Sequence, residues 1–84
     1  MIPSDKITRS DVNFAIDEMI IGKNAERNRL ILKRRLIDGI KYETLAEEFQ
    51  MSVKQIQRIV YKCEGIIYSK CKEIVYERAN PGSN

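Results

Sequence analysis

Ile56, Val60, Cys63, Ile67, Cys71 and Ile74 recur at spacings of 4, 3, 4, 4 and 3. That rhythm puts all six side chains on one side of an α-helix. A strand, whose faces alternate every second residue, cannot do so. A stripe of this length must be buried against other elements. No other stretch alternates apolar and polar residues long enough for a strand, and the few Gly and Pro residues fall mostly where helices would end. The expected fold is therefore all-α: a small bundle of four to five helices. The 84 residues allow one domain over 1–84, with residues 80–84 as a flexible tail. They leave no room for a TIM barrel or a two-domain Rossmann protein.

Helix boundaries can be read locally. Ser10 is the expected N-cap of a first helix, with Asp11 in its positive first turn. Val12, Ala15, Ile16, Met19 and Ile20 form its stripe, and Gly22 is the expected residue after its end. Asn24 caps a second helix from about Ala25 to Asp38, closed by Gly39. Its Leu30, Ile31, Leu32, Leu36 and Ile37 do not share a face, which predicts packing between neighbours. A third, short helix covers about Glu43 to Phe49. Ser52 and Gln55 have the spacing of a capping box, which starts a fourth helix at Val53. Gly65 leaves two readings open: one continuous helix, or a break or kink.

Several function classes are excluded by composition. The chain has no His, so a His triad, a His general base and a His metal site are absent. Cys63 and Cys71 stand eight apart without other soft ligands, so they read as buried fillers in a reducing compartment, not as a metal site. No catalytic residue, metal or cofactor is expected. The first residues lack the apolar core of a signal peptide, and no apolar run reaches the ~20 residues of a membrane span. A cytoplasmic protein without membrane contact is the expectation.

The informative stretch runs from Tyr42 to Tyr61. Two helices held at a fixed crossing angle need apolar side chains between them, and Leu45, Phe49, Met51, Ile56 and Ile59 stand at those places. They need a small residue at closest approach, here Ala46, and a cap on the second helix, here Ser52. The segment Gly39-Ile40-Lys41-Tyr42-Glu43-Thr44-Leu45-Ala46-Glu47-Glu48-Phe49, followed by Met51-Ser52-Val53-Lys54-Gln55-Ile56, resembles region 4 of bacterial RNA polymerase sigma factors. It is also similar to the helix-turn-helix domains of LuxR-type and phage regulators. Arg29 to Leu36 resembles the helix that precedes the motif in that group, so the likeness covers about residues 25 to 64. One departure stands out. The family usually has Gly in the turn, at a residue with positive φ, and this chain has Gln50.

The resemblance implies that helix 53–63 enters the major groove of double-stranded DNA. The residues agree with it. At about 100° per residue, Lys54, Arg58 and Tyr61 lie opposite Ile56, Ile59, Val60 and Cys63, flanked by Gln57 and Lys62. No acid occurs between Ser52 and Cys63, whereas the preceding helix carries Glu43, Glu47 and Glu48. The net charge of +3 divides into +5 over residues 23–41, −3 over 42–51 and +4 over 52–72. Arg, Lys and Gln match base edges, while Tyr and Lys hold phosphate. The candidate DNA-binding residues are Ser52, Val53, Lys54, Gln57, Arg58, Tyr61 and Lys62, joined by Arg34, Arg35, Lys41 and Tyr42.

An ordinary solvated face is the plain alternative for each of these cations. The C-terminal stripe is expected to pack on the first helix, with a homodimer through it left open. The leading expectation is a sequence-specific transcription regulator. Its alternative is a protein-interaction module, an adaptor associated with RNA polymerase or a sigma factor, with little DNA affinity of its own.

Overall fold

A computed structural model describes residues 6–79. Four helices follow one another: α1 (Arg9–Met19), α2 (Ala25–Leu36), α3 (Tyr42–Phe49) and α4 (Val53–Ala79). No strand occurs among the described residues. The expected tail at 80–84 lies outside them.

The organising element is α4. Its 27 residues rise about 1.5 Å each, or about 40 Å in all, and the molecule is 45 Å in its longest dimension. The helix runs through Gly65 without a break, so of the two readings there the continuous one holds. Ile56, Val60, Cys63, Ile67 and Cys71 are all buried along its inner side, and Ile74 is half-buried. The first helix lies along the C-terminal half of α4. Asp11 meets Arg78 at one end, and Met19 lies beside Ile66 at the other. The second helix touches α1, α3 and α4, as its scattered apolar residues predict. Ile31 and Leu32 are fully buried there, but Leu30 is 50% exposed and takes no part in that packing.

Four helix ends differ from the sequence reading. The N-cap of α1 is Thr8, not Ser10. The Thr8 hydroxyl accepts from the Asp11 N–H, and the Asp11 carboxylate accepts from the Thr8 N–H, each at 3.0 Å. This reciprocal box satisfies two otherwise orphaned donors and starts the helix earlier. Gly22 is not the residue that closes α1. The C-cap is Ile20 in an extended conformation, and the Arg29 guanidinium donates to its carbonyl at 2.8 Å. A side-chain donor there removes the need for a left-handed glycine. Asn24 begins α2 through its backbone alone. It sits at φ 62°, which Asn tolerates, and its side chain makes no capping hydrogen bond. The second helix ends at Leu36, two residues before the expected Asp38. Gly39 sits at φ 69°, its own N–H donates to the Arg35 carbonyl, and the Ile40 N–H reaches back to that of Arg34.

The C-terminal stripe is consumed internally as far as Cys71, while Ile74 and Val75 are half-buried. Ile67 and Cys71 are fully buried in the same core as Val12, Ala15 and Ile16 of α1, so these side chains offer no subunit interface. Burial pushes both cysteine thiols above their ordinary value, which keeps them protonated and unreactive. No helix among the described residues is long and apolar enough to cross a membrane.

Two expectations follow. A Cβ added at Gly65 meets nothing within 4 Å, and the residue is exposed on the outer side of α4. Gly65→Ala is expected to stabilise the protein by ~1 kcal/mol, read as a rise of about 4–8 °C in melting temperature. A lower melting temperature would mean that Gly65 is needed as a break. Asp11 gives an acid-limb prediction. The Thr8 backbone N–H holds its carboxyl below the ordinary 3.8, Arg78 adds to this, and burial opposes it. A depressed folded pKa contributes stability above that value, and the contribution is lost as pH falls through the folded pKa. Unfolding midpoints should therefore fall more steeply for the natural protein than for Asp11→Asn below about pH 4. Parallel acid limbs would contradict the assignment.

Candidate nucleic-acid interface

The turn between α3 and α4 decides where the outer side of α4 points. Leu45 and Ile56 are fully buried between the two helices, with Ala46, Phe49, Met51 and Ile59 packed around them. Gln50 sits at φ 53°, in the left-handed region that the resemblance implies at this place. The chain reverses there, and the Met51 N–H bonds back to the Ala46 carbonyl at 2.9 Å. The capping box at α4 is formed as expected. The Gln55 N–H donates to the Ser52 hydroxyl at 3.1 Å, and the Ser52 N–H donates to the Gln55 side-chain carbonyl at 2.9 Å. Ser52 is therefore spent on starting the helix.

Lys54, Gln57, Arg58 and Tyr61 line one shallow depression on the outer side of α4. Lys54 and Arg58 are exposed, Tyr61 is 59% exposed, and Gln57 is half-buried. Lys62 is exposed on the same helix and Lys41 just ahead of α3, and Val53 is half-buried. Lys41, Lys54, Arg58 and Lys62 form no ion pair among the described residues. The ion pairs lie elsewhere: Arg9 with Asp38, Lys33 with Asp17, Arg34 with Glu48, Lys70 with Glu73, and Arg78 with Asp11.

Arg34 and Arg35, expected beside the reading helix as phosphate contacts, both have internal partners. Arg34 grips Glu48 of α3 with two hydrogen bonds, at 2.7 and 2.5 Å, and this contact raises its already high pKa further. Arg35 donates to the Ile40 carbonyl at 3.0 Å and stacks on Tyr42, 4.1 Å from the ring centre. Tyr42 in turn meets Tyr61 edge-on, with ring centres 6.3 Å apart and planes at 80°. Sequence reasoning missed this file of three residues, because each comes from a different helix. The role of Glu48 as partner to Arg34 was missed for the same reason. Only the aromatic residues at both ends of the motif hinted at it.

No group of three or more His, Cys, Asp or Glu residues that could hold a metal ion occurs among the described residues. Comparison of the chain with protein-family models, curated proteins and solved structures finds no match.

Gln50 supplies a direct test of the turn. A non-glycine residue in the left-handed region costs about 1–2 kcal/mol, while glycine adds freedom to the unfolded chain. Gln50→Gly should raise stability by up to about 1 kcal/mol in urea unfolding. A loss of stability would show that the Gln50 side chain holds the turn in some other way.

Proposed function

We propose that the protein is a sequence-specific DNA-binding transcription regulator that lays the first turns of α4 in the major groove. One observation carries this reading: Lys54, Arg58 and Lys62 stand exposed without an ion pair on a stretch of α4 that holds no acid, whereas Arg34 of α2 is tied to Glu48. An α-helix fits the major groove, and cations there gain by displacing counterions from phosphate. The acids of the motif support the assignment from the other side. Glu43, Glu47 and Glu48 all belong to α3, and Glu48 is held by Arg34. In this reading α3 braces and α4 reads.

The residues divide by chemistry. Arg58 presents a planar fork suited to guanine O6 and N7, and Gln57 suits adenine. Lys54, Lys62 and Lys41 are point charges suited to phosphate. Arg34, Arg35 and Tyr42 support the surface from behind. The resemblance to sigma region 4 and to phage and LuxR-type regulators points the same way, and with it comes a cytoplasmic place of work.

The test is selection of bound duplexes from a random pool, followed by salt-dependent affinity measurements on the enriched sequence. Arg58→Ala should weaken binding to it by ~1–3 kcal/mol and relax preference at one base pair. Lys54→Ala should weaken all duplexes alike and lower the salt slope by about 0.9. Arg34→Ala should leave that slope unchanged. No enrichment at low salt, or no effect of Arg58→Ala, would overturn the reading.

A second reading has its own observation. Phe14 and Ile21 are 52% and 76% exposed, far more than an apolar residue needs to be. They favour a protein-docking adaptor for RNA polymerase or a sigma factor. Recovery of polymerase from extract by the natural protein and not by Phe14→Ala, with no enriched duplex, would select that reading instead.

A further inference from the structure

Arg35, Tyr42 and Tyr61 come from α2, α3 and α4 and stand in file. The guanidinium lies over the Tyr42 ring, Tyr42 meets Tyr61 edge-on, and Tyr61 forms a wall of the depression it shares with Lys54, Gln57 and Arg58. A tyrosine that is 59% exposed is ordinarily free to change rotamer. This one is met edge-on by Tyr42, whose own ring is covered by Arg35. Its phenol is pushed above the ordinary value, first by the charge of Tyr42 and then by hydrogen bonding between the two side chains. At neutral pH the phenol is uncharged, and more than half of the residue is open to solvent.

We propose that Tyr61 reads a thymine by taking its C5-methyl group against the ring, with Tyr42 and Arg35 as positioning residues. The proposal rests on the DNA-binding reading of α4. Thymine alone offers an apolar group in the major groove, so an exposed aromatic ring beside an arginine has one base edge that suits it. Arg58 precedes Tyr61 by three residues, about 4.5 Å along the helix, while base pairs are about 3.4 Å apart. The two side chains therefore reach neighbouring base pairs. A phosphate contact through the Tyr61 hydroxyl competes with this idea, and Tyr61→Phe separates the two.

The probe is the duplex enriched from the random pool, remade with each thymine replaced singly by deoxyuridine. That change removes the methyl group and nothing else. The natural protein should bind one such duplex roughly fourfold more weakly, the size of one buried methyl. Tyr61→Phe should keep this sensitivity, because the ring remains. Tyr61→Ala should lose it while the circular dichroism stays helical. Arg35→Gln, which uncovers the Tyr42 ring, should reduce it without changing the salt slope. A flat deoxyuridine scan with the natural protein would overturn the proposal, even where DNA binding itself is sound. So would sensitivity that survives in Tyr61→Ala, or a uniform loss of affinity in Tyr61→Phe. Failure of any duplex to be enriched would instead remove the DNA-binding reading, and this proposal with it.

Discussion

Ile56, Val60, Cys63, Ile67 and Cys71 run along one side of a single helix, and the other three helices are placed by their contact with that stripe. Fully burying an aliphatic side chain contributes about 1.5–3 kcal/mol. An exposed ion pair contributes at most about 1 kcal/mol. Exposed pairs such as Arg9–Asp38 therefore decorate the bundle, and the stripe holds it. Because α4 is unbroken through Gly65, the stripe joins two packing regions that a kink would separate. Its front half closes on α2 and α3, and its rear half on α1. The outer side of the same helix inherits that rigidity.

Much of this arrangement was legible in the sequence, because it is local. The stripe spacing and the Ser52–Gln55 box each involve residues within one or two turns of each other, while the left-handed residue at position 50 was implied by the family resemblance alone. The existence of four helices follows from such signals. Helix ends were less legible where two candidate caps competed. Thr8 prevailed over Ser10 because Asp11 answers it, and Ile20 served as a cap because Arg29, nine residues away, reaches its carbonyl. The candidate site shows the same limit more sharply. Lys54, Gln57, Arg58 and Tyr61 share a helix face and could be grouped by periodicity alone. The engagement of Arg34 with Glu48 and of Arg35 with Tyr42 depends on crossing angles between helices, which no local pattern encodes. The equal weight that charge counting gave to the two cationic segments thus changes in three dimensions.

That redistribution bears on how the surface would work. Net charge draws a protein to DNA, but held side chains are what discriminate among base pairs. Here two arginines of α2 act inward, one fastening α3 and one backing an aromatic pair, while Lys54, Arg58 and Lys62 of α4 stand exposed without an ion pair. A rigid helix with one apolar side in the core and a cationic, aromatic side outward is a compact means of presenting a few side chains in fixed register.

The central claim is that the outer side of α4 is the surface that meets DNA. The most direct measurement is a titration of the isotope-labelled protein with short duplex DNA at low salt, followed by amide chemical shifts. The account predicts that shifts concentrate on Lys54, Gln57, Arg58, Tyr61 and Lys62, with Phe14 and the rest of α1 left in place. Shifts centred on α1 and the end of α4, or none at all, would contradict it.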